Sequence, residues 1–139
     1  MASVEYDGSN NQFSLNVQYG DMFHANMTEF TVAPGVTRIG RSAFYGRTQL
    51  TSLGGLKNSS VTVIDGYSIF LTGITSLEDL PPGLRRIAIY AFAYCNALAS
   101  LRGLSYAVDM HEIAFGHHPN TPPQLLQEAR ERGFTTLNN

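Results

Sequence analysis

The chain has a single cysteine, Cys95, and this excludes an internal disulfide bond. Charged residues make up only 14% of the chain and hydrophobic residues 43%, a balance that predicts a packed domain rather than a disordered one. No stretch approaches the roughly 18 apolar residues of a membrane span. The N-terminal residues have no basic region and no apolar region, so they do not form a secretory signal. We therefore expect an intracellular or organellar protein, or a cell-surface protein if the chain is a processed fragment.

Charge is distributed unevenly along the chain. Residues 1–29 carry four acidic side chains and no Lys or Arg, whereas residues 30–104 carry seven basic and three acidic side chains. Such an asymmetry can steer an approaching partner, but its size is too small to indicate nucleic-acid binding. We expect protein partners, such as the subunits of a larger complex, and neither nucleic acid nor a membrane span.

The sequence repeats itself. When it is shifted by 48 residues, the segment Val36 to Leu56 aligns with Leu84 to Leu104 without a gap. This offset is two periods of 24, and a middle copy lies between the two segments. A period in the twenties predicts a solenoid, in which each unit buries its apolar edge by stacking on the next.

One apolar position of the repeat recurs as Leu50, Ile74 and Leu98. Neighbouring strands of a parallel sheet lie about 4.8 Å apart, so residues in register form ladders of like side chains. We therefore predict strands over the segments that begin at these residues, with an exposed cross-strand pair between Glu78 and Arg102. The candidate binding residues on this predicted strand face are Ser52, Ser76, Glu78, Ser100 and Arg102.

Each repeat also contains a short segment with a buried pair. Ala43-Phe44, Ala91-Phe92 and Ala114-Phe115 share the pattern, and the middle copy has Ile69-Phe70, displaced by one residue. We predict that these segments form short helical or 3₁₀ turns. Cys95 lies within one of them, where a small buried apolar side chain is the expected role.

The two ends of the chain differ from the repeats. Residues 1–26 alternate apolar and polar side chains on either side of a turn-rich segment, a pattern that predicts a β-hairpin. Residues 121–139 predict a helix, with Thr121 as the N-cap and Gly133 after its end. We predict a hairpin cap over 1–26, repeats over 27–120, and a capping helix with a tail over 121–139. The predicted fold is an α/β solenoid, a short right-handed leucine-rich-repeat stack.

The repeat pattern resembles the BspA-like class of leucine-rich repeats. That class follows Leu-x-x-Ile-x-Ile-Pro-x-x-Val-x-x-Ile-Gly-x-x-Ala-Phe-x-x-Cys, and the segment Met27 to Arg47 fits it, with Arg47 in place of the cysteine. The segment Leu84 to Cys95 fits as well, with Ala88 in place of glycine. The resemblance covers about residues 27–116, in about four repeats. It implies a protein-binding module without a catalytic motif, in a family whose members are mostly secreted or cell-surface adhesins.

Histidines near the end of the repeats are the candidate for metal chemistry. His111, Glu112, His117 and His118 lie within eight residues, but a zinc-binding His-Glu-x-x-His helix would need histidine where Phe115 stands. A polar exit loop is the simpler interpretation. We expect no cofactor, no metal and no catalytic residue.

Tyrosine and arginine are the residues most typical of binding hot spots. They recur in or beside the predicted helical segments and turns. The candidate residues of this second set are Arg38, Arg41, Tyr45, Arg85, Arg86, Tyr90 and Tyr94.

These observations favour a non-enzymatic protein–protein interaction module, in the form of a small structural subunit of a larger assembly. Two alternatives stay open. The chain could be a fragment of a secreted or cell-surface adhesin, or it could bind a metal through the segment from His111 to His118.

Overall fold

The computed structural model describes residues 3–14, 26–111, 113–116 and 123–132. Six short strands, a 3₁₀ helix at Gly54–Leu56 and one α-helix lie in these ranges. The strands are β1 (Ser3–Tyr6), β2 (Glu29–Val32), β3 (Arg38–Ile39), β4 (Val63–Ile64), β5 (Arg86–Ile87) and β6 (Asp109–Met110), and helix α1 spans Pro123–Glu131. Within these ranges, no helix has both the length and the apolarity needed to cross a membrane.

All strand pairs are parallel. Strands β1 and β2 form a two-stranded sheet, and β3, β4, β5 and β6 form a four-stranded sheet in chain order. Within each sheet, every strand therefore lies beside the next one in sequence, which is the arrangement of a solenoid-like repeat fold. The inner row of the larger sheet is Ile39, Ile64, Ile87 and Met110, and its outer row is Arg38, Val63, Arg86 and Asp109.

A second ladder of backbone hydrogen bonds joins the repeats at their turns. Ser42 N donates to Gly66 O at 3.0 Å, and Phe44 N donates to Ser68 O at 2.8 Å. The same bonds recur one repeat later, where Tyr67 N donates to Ile89 O and Ile69 N donates to Ala91 O. Each repeat is thus held to the next through its strand and through its turn, and we call this second set of bonds the turn ladder.

The prediction of a helical segment around Ala43-Phe44 is wrong. Residues 41–46 form consecutive turns, and Ser42 has a φ of 56° that no right-handed helix accommodates. Successive N–H groups alternate between a bond inside the turn and a bond to the next repeat. Tyr45 N donates to Ser42 O in the same turn, whereas Phe44 N donates to Ser68 O in the next repeat. The neighbouring repeat therefore takes hydrogen bonds that a helix would have formed internally.

The strands predicted from Leu50, Ile74 and Leu98 are also wrong, although these three residues are buried as expected. The sheet forms earlier in each repeat, at positions such as Ile39. After each of the three residues, a serine hydroxyl accepts from the N–H two residues further on and bends the chain, which competes with pairing to a neighbouring strand. These bonds run from Gly54 N to Ser52 Oγ, from Glu78 N to Ser76 Oγ and from Arg102 N to Ser100 Oγ, each at 3.0 Å.

The middle repeat has a register that differs from the expected one. Ile69, not Phe70, occupies the buried position that Phe44 and Phe92 occupy in their repeats. The turn ladder shows the equivalence, since Ile69 N donates to Ala91 O just as Phe92 N donates to Ala114 O. Ser68 then takes the place of Ala43. Phe70 is left on the surface of the turn, half-buried.

The N-terminal residues stack on the first repeat in the manner of a further repeat. Strand β1 pairs in parallel with β2, and Asn11 N and Phe13 N donate to Arg41 O and Ala43 O at 2.9 and 2.8 Å. The second strand of the predicted hairpin lies mostly outside the described residues. The hairpin cap and the three domain boundaries therefore stay predictions, as does the right-handedness of the stack.

Helix α1 is present as predicted and packs against the last repeat. Ala129 is buried in the core, and Arg132 Nη1 donates to Leu104 O at 2.6 Å. The Glu128 carboxylate accepts from Ser100 Oγ at 3.0 Å and from Leu101 N. The predicted cap residues Thr121 and Gly133 lie outside the described residues.

Candidate interaction surfaces

The largest cluster of half-exposed aromatic side chains lies on the turns, and we call it the aromatic flank. It comprises Tyr45, Tyr67, Phe70, Tyr90 and Tyr94, together with Leu71 and Arg41. One column runs Tyr45, Phe70, Tyr94, with ring centroids 4.7 and 5.3 Å apart. A second column places Tyr90 5.2 Å from Tyr67, and Tyr67 lies 5.6 Å from Phe70. The two columns therefore form one continuous aromatic surface along three repeats.

The backbone fixes the directions of these side chains. Tyr67, Leu71, Tyr90 and Tyr94 have φ values of 59°, 57°, 55° and 58°. This left-handed conformation costs a non-glycine residue about 1–3 kcal/mol, so the surrounding structure must impose it. The turn ladder does so, because Tyr67 N and Leu71 N donate to Ile89 O and Ala93 O at 3.1 and 2.9 Å.

Arg41 supplies the positive charge of the aromatic flank. Its Cζ atom lies 5.0 Å from the centroid of the Tyr67 ring, within the range of a cation–π contact. Arg41 is exposed and forms no ion pair with any described residue. The flank therefore combines tyrosine rings with an available guanidinium group, the composition expected of a binding hot spot.

The sheet carries the other arginines that the sequence placed with the tyrosines. Arg38 and Arg86 lie on β3 and β5, away from the aromatic columns. Arg38 Nη2 lies 2.7 Å from Asp65 Oδ2, and Arg86 Nη1 lies 3.1 Å from Asp109 Oδ2. Arg85 is exposed beside them, without an ion pair to a described residue. The candidate set therefore divides into the aromatic flank, with Arg41, Tyr45, Tyr90 and Tyr94, and the sheet, with Arg38, Arg85 and Arg86.

The predicted pair between Glu78 and Arg102 is confirmed. Arg102 Nε lies 3.2 Å from Glu78 Oε1, and both side chains are largely exposed. Neither residue lies in a strand, and the serines beside them bond to their own backbone. Ser100 also donates to Glu128, so it helps to dock helix α1. The set Ser52, Ser76, Glu78, Ser100 and Arg102 thus forms a ridge of bends instead of a strand face.

Cys95 has the buried position that the sequence predicts, with 3% of its surface exposed. Burial raises the pKa of its thiol to about 11, and the Thr72 contact opposes this shift only in part. Its Sγ atom lies 3.1 Å from Ile69 O, which accepts the thiol hydrogen. A thiol held neutral in this way is a poor nucleophile and a poor metal ligand.

The histidine segment lies only partly within the described residues. Glu112, His117 and His118 fall outside them, and His111 uses its Nδ1 atom to accept from Ile113 N at 3.2 Å. In the part of the chain that the structure describes, no three metal-ligating side chains come together.

Phe70, Tyr67 and Leu71 are flank residues outside the candidate set predicted from the sequence, and Phe70 is the one that the sequence placed elsewhere. The sequence assigned it to the core beside Ile69, because the other repeats end that segment in an Ala-Phe pair. A signal was available, since Phe70 lies 25 residues after Tyr45 and 24 before Tyr94, and so belongs to their column.

Comparison with known proteins agrees with the repeat architecture. The family model described as "BspA type Leucine rich repeat region (6 copies)" matches residues 21–119, more than two thirds of the chain. No curated protein and no solved structure matches the chain. The match, the parallel strands in chain order and the turn ladder agree with one another, and the chain belongs to the BspA-type leucine-rich repeat family.

Proposed function

We propose that this chain is a non-enzymatic protein-interaction module, that it binds its partner through the aromatic flank, and that it serves as a small structural subunit of a larger assembly. The observation that carries the proposal is the continuous aromatic surface with its available guanidinium group. Leucine-rich repeat proteins of this kind are in general not enzymes, and the family supports protein binding as the broad function.

The composition of the flank supports a protein partner. Tyrosine and arginine are enriched at the centres of protein interfaces, where they bury large contact areas. Tyr94 and Leu71 are 41% and 36% exposed, so each still has substantial area to bury against a partner.

The rigidity of the flank supports a structural role. The rings are stacked on one another, and the backbone beneath them is bonded to neighbouring repeats. A surface that is already ordered loses little conformational entropy on binding, so more of the contact energy appears as affinity.

A pair of variants tests the proposal. Tyr45→Ser with Tyr94→Ser removes two of the three rings of one aromatic column, and Asn58→Ser serves as the control because Asn58 is exposed and lies outside the flank. Native mass measurement with crosslinking mass spectrometry should find the wild type and the control in a larger complex. We expect the flank variant to bind at least ten-fold more weakly, and to run as a free monomer of 15.2 kDa.

Circular dichroism of each variant shows whether its fold is intact. If folded flank and control variants lose the complex equally, the flank is not the binding surface. A wild type that is purely monomeric in its native extract would contradict the subunit role.

A further inference from the structure

Strand β6 is the last strand of the four-stranded sheet. In β5, Ile87 O accepts from His111 N at 2.9 Å, while Ala88 N donates to the opposite side, to Ile64 O. Successive residues of a parallel strand thus bond to opposite neighbours. Met110 is in register with Ile87, whose backbone groups face the next strand, β6. The N–H and C=O of Met110 likewise face away from β5, toward the position that a fifth strand would occupy. No described residue bonds to them.

The other end of the sheet is closed by side chains. Just after β3, Gly40 N donates to Tyr6 Oη at 2.6 Å, and Arg41 N donates to Asn10 Oδ1 at 2.9 Å. Proteins commonly protect sheet edges in this way, because an open edge is a template for another strand. In the described residues, the protection is found at the β3 edge and not at the β6 edge.

A depression of about 200 Å³ lies between β6 and the end of helix α1. It is lined by Leu104, Ser105, Tyr106, Val108, Asp109, Met110 and Arg132. Val108 and Met110 are half-buried, so apolar surface remains for a partner side chain to cover. The volume is sufficient for one aliphatic side chain.

The outer row of the sheet ends on a carboxylate. Arg38 on β3 pairs with Asp65, which directly follows β4, and Arg86 on β5 pairs with Asp109 on β6, so each of these arginines faces a carboxylate of the next repeat. Asp109 is 74% exposed at the open edge. A basic residue on an added strand would lie beside this carboxylate on the side away from Arg86.

We propose that β6 binds an extended segment of a partner protein as a fifth parallel strand. The segment has a Lys or Arg next to Asp109, followed by an aliphatic residue beside Met110, the order found in β3 and β5. Main-chain bonds to Met110 give affinity, and the depression and Asp109 give specificity. A second copy of this chain is a poorer occupant, because the complementary β3 edge is closed by Tyr6 and Asn10.

Amide hydrogen exchange of the full chain, followed by NMR, tests this inference. The probe is an end-capped peptide with the sequence of residues 84–89, which contains the Arg-Ile order. At a peptide concentration ten times its dissociation constant, the Met110 amide should exchange about ten-fold more slowly. If that amide is already protected in the free chain, its edge is closed by the chain itself and the proposal is overturned.

Two N-methylated versions of the peptide supply the matched control. One blocks the N–H groups of odd-numbered residues and the other blocks those of even-numbered residues. Because an added strand presents only alternate N–H groups to β6, only one version should lose at least ten-fold in affinity. Equal effects of both versions would contradict strand addition.

Charge recognition is tested separately with Asp109→Asn, against Asp79→Asn as the control. The first variant should weaken peptide binding by about two- to five-fold at low salt, and the second should leave it unchanged. Protection of Met110 that depends on protein concentration instead of peptide would mean self-association and would overturn the assignment. Because these measurements do not involve the aromatic flank, their outcome is independent of the proposed function.

Discussion

Ser68 is buried, and its hydroxyl has no hydrogen-bond partner among the described residues. It occupies the place that Ala43, Ala91 and Ala114 occupy in the other repeats. An unsatisfied buried polar group costs about 1–3 kcal/mol. The residue that interrupts the repeat pattern is therefore also one that destabilises the fold.

Ser68→Ala should raise the free energy of unfolding by about 1–2 kcal/mol, because it removes the unpaired hydroxyl without leaving a large cavity. Urea denaturation followed by circular dichroism measures this change. Ser76→Ala is the matched control: Ser76 Oγ accepts from Glu78 N, so its loss should destabilise the fold by about 1 kcal/mol. A stabilised Ser76→Ala or a destabilised Ser68→Ala would contradict the argument.

Individual residues were predictable from the sequence where the repeat is regular. Leu50, Leu98 and Cys95 are buried as their spacing predicts. Phe70 was assigned to the core, because residue type alone does not show that Ile69 fills the aromatic position. The neighbouring repeats decide between the two residues through the turn ladder, which pairs Ile69 N with Ala91 O.

At the scale of elements, the sequence predicted helix α1 and the repeat spacing but misplaced the strands of the four-stranded sheet. A strand of two residues, such as β3, is too short to be recognised from an alternating pattern of apolar and polar residues. The segments from Leu50 and Leu98 look regular, but serine hydroxyls bend them by bonding to the backbone. Three candidate arginines were therefore grouped with the tyrosines, although Arg38 and Arg86 lie on β3 and β5 and Arg85 directly precedes β5.

Helix α1 is docked on the last repeat through the Glu128 carboxylate, and the contacts of this group shift its pKa. Partial burial raises the pKa of Glu128, but the hydrogen bonds from Leu101 N, Ser100 and Gln124 and the charge of Arg132 together hold it below its usual value. A lowered pKa means that the folded state favours the ionised form. The resulting stabilisation is present above the pKa of the unfolded chain and is lost as the pH falls through the folded value.

Glu128→Gln should speed amide exchange in helix α1 by about three- to ten-fold near neutral pH, because it weakens charge-assisted hydrogen bonds to the last repeat. In the wild type, the protection of these amides relative to their intrinsic exchange rate should decrease as the pH falls below about 4.5, the usual pKa of the carboxyl. Glu131→Gln is the control, since among the described residues Glu131 forms its side-chain hydrogen bond with Gln127 on its own helix. Equal effects of the two changes would show that Glu128 does not dock the helix.

At the scale of the whole molecule, stability should depend on position in the stack. Each repeat contacts only its neighbours, so a central residue supports two interfaces and a terminal residue supports one. Ile64 on β4 is fully buried between β3 and β5, whereas Met110 on β6 is half-buried at the edge.

Ile64→Ala should therefore lower the free energy of unfolding by about 2–5 kcal/mol. Met110→Ala, which removes a comparable side chain, should lower it by less than about 2 kcal/mol because part of that side chain is already in water. Guanidinium denaturation of both variants measures the difference. Similar losses at the two positions would mean that the β6 edge is as fully covered as the centre of the sheet.

The turn ladder also gives the turn side of the molecule an electric axis. The carbonyl of Ala43 and the N–H of Phe44 belong to one peptide group, which accepts from Phe13 N and donates to Ser68 O. The next groups continue this line to Ala114 O, so successive peptide dipoles of about 3.5 D point the same way. Along the turns, their sum places a partial positive charge at the last repeat and a partial negative charge at the first, whereas bonds on the sheet side, such as Asp65 N to Ile39 O, run the opposite way. An oriented field of this kind, present without any ionised side chain, would align a polar partner before contact is made.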